Sequence, residues 1–405
     1  MFTKDTRQMR HAKLLNGFTP VFSQFGQDVY ASDVVQTCID VIATECSKLQ
    51  PKHIRTDKDG MITKGSSSLN RLFKFAPNEL MSTKDFIEKT IWLLFLNYNA
   101  FIYPTYDLIQ ANGITRKEYT GFYPINPQQV DFLQDDSGTL FVRFRFLNGQ
   151  EYTLPYSDVI HLRKKFSVND IMGGGLNGQP DNAAVLKVLE INNTVLQGLE
   201  KAIKTSLAVR GILKINTLLD DAKQEAERKR FETAMMNSES GILPMDLKGE
   251  YTDIKADPKV IDKDTMQFLQ DKILNYYGVS IPIYTGDFTD EQYQAFYEKT
   301  LEPIIISLGQ AFSKTIFTNR ELDVGNELVF YSQALLFTNT KNKIAVADIL
   351  GNRGALTNND LLQLFGYPPY EGGNIRNMSL NFIDVTLANE YQMQRAKTKA
   401  SMPSE

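Results

Sequence analysis

The sequence is poor in the residues that carry most enzyme chemistry. Its 405 residues hold 3 histidines, 2 cysteines and 1 tryptophan. A zinc ribbon, an iron–sulfur centre or a disulfide scaffold needs more ligands than these. Cys38 and Cys46 fall in one helical pattern, about 12 Å apart along its axis at the usual rise, too far to bridge each other. They read as small buried hydrophobes of a reducing compartment. A positive excess is also lacking. Lys+Arg total 44 and Asp+Glu 48, a formal charge of −4, which argues against chain-wide wrapping of nucleic acid. Long apolar runs are missing too: the most apolar stretch, Ile91 to Tyr103, contains Asn97 and Asn99 and is short for a bilayer. Lys4, Arg7, Arg10 and Lys13 start the chain without an apolar segment, so no signal peptide is expected. The expectation is a soluble, cytoplasmic chain with no membrane contact.

What is present is globular. Hydrophobic residues make up 42% and charged residues 23%, near the average for folded domains, and the length predicts two or three domains. The expected class is α+β. A polar arm, Met1 to Tyr30, precedes a helix opened by Ser32 or Asp33, with Val34, Val35, Cys38, Ile39, Ile42 and Cys46 at spacings of three and four. Pro51 stops it, and a strand follows near Lys52 to Thr56. Helices are predicted at Ser67 to Phe75 and Lys84 to Asn97. Six short β-rich runs between Phe101 and Arg163, separated by turns such as Asp135-Asp136-Ser137-Gly138 and Asn148-Gly149, predict a subdomain of hairpins. Helices are expected again at Asn182 to Leu207, Leu219 to Met236 and Ile261 to Tyr277. Between them lie a strand, Gly211 to Ile215, and a strand pair, Gly241 to Met245 with Tyr251 to Ile254. A loop from Ile281 to Thr289 leads into one long helix, Asp290 to Phe317. A strand at Glu327 to Phe330 and helices near Lys341 to Leu350 and Asn358 to Phe365 follow. A polar tail closes the chain.

No catalytic constellation emerges. His11, His53 and His161 have no second His at metal-pair spacing, and His161, on an apolar strand, reads as structural. There is no Gly-x-Ser-x-Gly elbow and no phosphate-binding Gly-rich loop with its Lys. Gly173-Gly174-Gly175 reads as a flexible connector. Asp135-Asp136 is turn chemistry. Asp287, Asp290 and Glu291 surround Phe288, but acids at a helix start also favour the helix dipole. Lys223, Arg228, Lys229 and Arg230, set among five acids on Leu219 to Met236, allow two readings: a solvated face with i,i+4 pairs, or a docking face. Tyr293, Phe296 and Tyr297 read as packing.

Several stretches in order resemble the portal proteins of tailed bacteriophages of the HK97 type. They are Ala31-Ser32-Asp33-Val34-Val35 with Ser47-Lys48-Leu49-Gln50-Pro51, then Pro77-Asn78-Glu79-Leu80-Met81-Ser82-Thr83. Next comes Tyr98-Asn99-Ala100-Phe101, where the family usually has Gly-Asn-Ala-Tyr. Tyr123-Pro124-Ile125-Asn126-Pro127, Asp158-Val159-Ile160-His161-Leu162 and Tyr277-Gly278-Val279-Ser280-Ile281-Pro282 follow. The series ends on Gly354-Ala355-Leu356-Thr357-Asn358-Asn359-Asp360 and Gly366-Tyr367-Pro368-Pro369-Tyr370-Glu371-Gly372-Gly373. Together they cover about Tyr30 to Gly373.

The resemblance implies a homo-oligomeric, dodecameric ring at one capsid vertex of the virion, assembled in the host cytoplasm. Double-stranded DNA would pass through its channel during packaging and ejection. The terminase large subunit, major capsid or scaffold proteins, and head-completion or adaptor proteins would be partners. It implies no enzyme activity, no cofactor and no metal. The implied parts are an arm (1–30), a wing (31–180), stem helices (181–207 and 258–280), a clip (208–257), a tunnel loop (281–289), a long helix with a return strand (290–337), a crown (338–388) and a tail (389–405). A shorter clip, with Leu219 to Met236 as a stem helix, stays open. Tyr284, Asp287 and Phe288 would face DNA from the tunnel loop. Lys223, Arg228, Lys229 and Arg230 would face the terminase or the channel. The alternatives are a tail or baseplate adaptor and a metal-dependent nuclease with dispersed carboxylates.

Overall fold

A computed structural model describes residues 13–14, 32–58, 62–111, 114–180, 183–207, 211–215, 221–236, 249–253, 263–332 and 340–378. From the N-terminus the elements are Lys13–Leu14 (β1), Asp33–Ser47 (α1), Gln50–Thr56 (β2), Ile62–Lys64 (β3), Ser67–Phe75 (α2) and Thr83–Asn97 (α3). Asn99–Ala111 (β4), Ile114–Ile125 (β5), Gln129–Gln134 (β6), Leu140–Arg145 (β7), Glu151–Pro155 (β8) and Ile160–Arg163 (β9) follow. Ala183–Leu207 (α4), Gly211–Ile215 (β10), Asp221–Met236 (α5), Gly249–Asp253 (β11) and Lys263–Tyr277 (α6) come next. The last are Ile281–Thr285 (α7), Asp290–Phe296 (α8), Glu302–Ile316 (α9), Asn319–Asp323 (α10), Asn326–Tyr331 (β12), Thr340–Asn352 (α11), Arg353–Thr357 (β13), Asn358–Leu364 (α12) and Arg376–Met378 (β14). The chain divides into two units. One contains Gln36–Pro180 and the chain from Gly278 onward; the other contains Asp181–Tyr277.

The first unit is held by aromatic packing between residues far apart in sequence. On α9, Leu308, Phe312 and Ile316 recur every four residues and are buried, the stripe an amphipathic helix turns inward. Phe312 meets Phe73 at 5.8 Å, Phe122 at 5.8 Å, Phe86 at 6.3 Å and Phe330 at 5.4 Å between ring centroids. These are the edge-on and tilted contacts that aromatic quadrupoles favour. One side chain thus joins α2, α3, β5 and β12. Strand β12 completes the join by pairing antiparallel along β2, from Asn326 opposite Arg55 to Tyr331 opposite Gln50, in a sheet ordered β12-β2-β3. Within α1, Cys38 and Cys46 are free and buried, and burial pushes both thiols up to about 12.

The predicted hairpin subdomain forms two sheets. One is ordered β5-β4-β9 and the other β1-β6-β7-β8. Phe101 and Ile125 from the first sheet, with Val130, Phe132, Val142, Phe144 and Leu154 from the second, form a buried cluster. Strands β4 and β5 make one long hairpin from Phe101 opposite Ile125 to Ala111 opposite Ile114, longer than the two separate runs expected. Of the N-terminal arm, Lys13 and Leu14 add an edge strand opposite Gln134 and Leu133; the remaining residues up to Ala31, and the tail 389–405, lie outside the described residues.

A buried asparagine fastens the loop that closes this subdomain. The Asn99 Nδ2 donates to the carbonyls of Asn97, Gly173 and Gly178. Its Oδ1 accepts from the Gly173 N–H at 2.7 Å and pairs with the His161 Nε2 at 3.0 Å. The other His161 nitrogen lies 2.9 Å from the Tyr156 hydroxyl, and the ring stacks on Phe101 at 4.3 Å. Gly173 therefore does not belong to a flexible connector. A Cβ there would run into the carbonyls of Tyr98 and Lys164, so the loop is a close-packed clamp. Tyr98, which stands where the family usually has glycine, adopts φ 55° as the left-handed cap of α3. That conformation is unfavourable for a side-chain-bearing residue by roughly 1–2 kcal/mol; burial of its ring offsets it.

In the second unit α4 packs along α6, with Val185 and Val195 buried on one and Leu269 and Ile273 on the other. Strand β11 pairs with β10, Gly211 opposite Asp253 and Ile215 opposite Gly249. Strand β11 covers most of the expected Tyr251 to Ile254 run; the other expected strand, Gly241 to Met245, lies outside the described residues.

Two outcomes test the clamp. Asn99→Ala leaves several buried polar groups unpaired, at about 1–3 kcal/mol each. Urea unfolding followed by the fluorescence of the lone Trp92 should show a loss of about 3 kcal/mol. His161 is kept neutral: withdrawal from water, then the positive Arg163 and Lys314, push its pKa well below the usual imidazole value. The unfolded chain binds the proton that the folded one refuses, so stability falls as pH drops below about 6.5. In His161→Gln the same titration should be flatter between pH 7 and 5.

Candidate functional site

The segment from Gly278 to Leu301 carries Tyr284, Asp287 and Phe288. It begins at Gly278, φ 79°, where a Cβ would collide with the Thr300 hydroxyl. That hydroxyl donates to the Gly278 carbonyl at 2.7 Å, so entry and exit of the segment are tied together. The expected loop is then partly helical. Pro282 near the N-terminus of α7 fits a first turn, and Gly286, φ 81°, ends the helix. Ile283 is buried and anchors this short helix. Tyr284 is half-buried, and 285–290 are exposed. Phe288 is 42% exposed and leans on Tyr293 at 5.4 Å. The loop proper is therefore Gly286 to Thr289, presenting Asp287 and Phe288 to the surface.

Helix α8 opens with a capping box: Thr289 accepts from the Gln292 N–H, and the Gln292 side chain accepts from the Thr289 N–H. Asp290 and Glu291 occupy the first turn, where the dipole favours acids. Glu291 is held below the usual carboxylate range by its own backbone N–H and by the Thr289 hydroxyl. Tyr293 donates to Glu45 at 2.8 Å, which ties α8 to α1. The long helix expected from Asp290 to Phe317 is interrupted by a π turn, Tyr297–Leu301. Its cause lies in Pro303, which has no N–H to give the ladder and crowds the carbonyl a turn before it. The Glu302 N–H reaches instead to the Tyr297 carbonyl.

On α5 the side chains of Lys223, Arg228, Lys229 and Arg230 are all exposed. Arg228 grips Glu225 through Nε at 3.0 Å and NH2 at 2.6 Å, and Lys229 lies 3.8 Å from the same carboxylate. Arg228 holds the Glu225 carboxyl below its usual range. Such exposed pairs steady a helix only slightly. They leave a charged face with both signs interleaved.

The other candidates are occupied by structural bonds. His53 has one ring nitrogen accepting from the Ser66 N–H at 2.7 Å and the other on Asn326 at 3.1 Å, and burial lowers its pKa. His11 lies outside the described residues. Asp135 accepts from the Ser137 and Thr139 N–H groups and forms its turn. Among the described residues no three His, Cys, Asp or Glu side chains gather as metal ligands would, and no helix there is long and apolar enough to cross a membrane.

The sequence reading passed over the asparagines. Asn78 donates to the Phe122 carbonyl at 2.7 Å. Buried Asn359 donates to the Tyr370 carbonyl and to Asn374, and accepts from the Tyr370 N–H, which folds the turn ending at Gly373. A polar residue inside an otherwise apolar run, as at Asn99, was the available signal.

The profile of the family described as phage portal protein matches residues 33–366. Two relatives, each called a probable portal protein and found in Lactococcus phages p2 and SK1, are 24% identical over 385 residues, 90% of this chain and 89% of each relative. Among solved structures, the chain resembles one from the neck of an empty gene transfer agent (GTA) particle computed with C6 symmetry. The TM-score is 0.62 at 15% identity, over 86% of this chain and 94% of that one. A chain from the neck of the native particle, computed with C12 symmetry, gives 0.59 at 14% identity over the same shares.

Proposed function

The chain belongs to the phage portal protein family, and on that premise we propose that its copies close into a ring at one capsid vertex, through which double-stranded DNA enters and leaves. The observation that carries this reading is the family match across residues 33–366, spanning both units. The GTA neck particles, computed with C6 and C12 symmetry, support a dodecamer. The division of the chain after Pro180 and after Tyr277 supports a wing ending at 180, with stem and clip in the second unit. The family is structural; the role is a conduit, with the terminase large subunit, capsid or scaffold proteins and head-completion proteins as partners. No observation favours a tail adaptor or a carboxylate nuclease.

Imaging of the purified full-length protein tests the ring directly. Class averages should show closed rings with an axial hole. Monomers or open filaments at all concentrations, with heads that fill normally in its absence, would overturn the reading.

Asp287 and Phe288 are assigned to the channel wall. A passive conduit should hold phosphates weakly, because each neutralised phosphate adds affinity, and an acidic-aromatic tip suits that need. Asp287→Lys should leave rings intact and slow DNA translocation, most at low salt, as read by packaged DNA length in a packaging reaction. Equal filling at all salt concentrations would remove the loop from the channel.

Lys223, Arg228, Lys229 and Arg230 are assigned to the terminase-facing surface. Reversing all four to Glu disturbs only exposed pairs worth a few tenths of a kcal/mol each, so rings should persist. Packaging should fall severalfold, with motor binding weakened. Full packaging by such rings would refute the assignment.

A further inference from the structure

The first unit contains a groove apart from the loop and the helix assigned above to the channel and the terminase. It has a volume of 1180 Å³, and its lining includes Lys48, Lys52, Arg71, Lys74 and Lys84 but no Asp or Glu. Lys48 is engaged by Glu45, and Lys84 by Glu88. Lys52 and Lys74 lie over the rings of Tyr331 and Phe75, and all five cations are exposed. With Lys48 and Lys84 paired to acids just outside the lining, Lys52, Arg71 and Lys74 are the cations that raise the local potential for an anionic partner. Apolar groups share the site: Phe75 is 63% exposed and Ile62 is 60% exposed, and both line the groove. Ile62 also belongs to β3, the edge strand of its sheet among the described residues, paired there with β2.

We propose that this groove docks an extended acidic peptide of a partner protein, laid along β3 with an apolar side chain against Phe75. Each feature selects this occupant. The free strand edge offers main-chain hydrogen bonds. The cations meet acidic side chains and set the on-rate, and Phe75 with Ile62 supplies the buried anchor that phosphate contacts would leave idle. A DNA duplex is a convex rod that takes most of its contacts through phosphate; a concave lining with two exposed apolar side chains matches a peptide better. The proposal needs only the folded chain and stands apart from the ring reading.

The test uses the full-length protein and a series of fluorescent synthetic peptides with rising Glu content around one fixed Phe, read by anisotropy. Affinity should rise with Glu content and fall with salt. It should drop about tenfold when the peptide Phe becomes Ser. Arg71→Glu with Lys74→Glu should weaken the most acidic peptide by at least about tenfold, and Phe75→Ser should do the same without changing the salt dependence. Binding that ignores Glu content or the Phe overturns the proposal. So does displacement of the peptide by a DNA duplex of equal charge as efficiently as by unlabelled peptide, which would make the groove a polyanion site. A change in oligomeric state from the Arg71 and Lys74 reversals alone would make it a contact between copies and overturn it too.

Discussion

The packing of Phe312 against rings from α2, α3, β5 and β12 is the constraint on which the rest depends. It requires residues beyond 300 to return into a core begun before residue 130. Everything between Pro180 and Gly278 is therefore an insertion into a body completed only by the returning helix and strand. Removing a buried Phe side chain typically destabilises a core by about 3–5 kcal/mol. Here it would also loosen the join between the two halves of that body, leaving it to the β12-β2 pairing. The insert has its own packing, α4 on α6, and so does not draw on Phe312 for its own order.

Much of this architecture was legible in the residues. Amphipathic spacing located α1, because buried stripes repeat whatever the tertiary context, and α2, α3 and α6 also lie within a few positions of their predicted ranges. Turn chemistry located the hairpins. The resemblance to portal proteins rested on short motifs whose physical purpose the structure supplies. The asparagines in three of them, Asn78, Asn99 and Asn359, bond to backbone groups 44, 74 and 11 residues away. Such long-range bonds have no periodic signature, and so Asn99 passed for an interruption in an apolar run. The loop after Gly173 was misread for the same reason, since glycine signals mobility unless something is seen to press on it.

The segment around Phe288 was read half correctly. The sequence places a loop at Ile281 to Thr289, yet Pro282 and buried Ile283 form a helical turn at its start. The π turn at Tyr297–Leu301 was invisible to a helical template that tolerates a proline but does not say how. On α5 the basic residues form no bare positive stripe, and their exposed pairs fit the solvated face that the sequence allows. Two of the four share one carboxylate, Glu225.

The boundaries of the insert at Pro180 and at Gly278 are both fastened on the first unit's side. At one, Gly174 bonds to the Lys165 carbonyl, and the Gly175 N–H reaches the Gln179 carbonyl, beside the Asn99 clamp. At the other, Thr300 closes over Gly278. Tension or torque arising in the insert would reach the rest of the chain at two stiff points within a few residues of the boundary. Mechanically, the first unit resembles a chassis with fixed mounts at residues 173–179 and at Gly278.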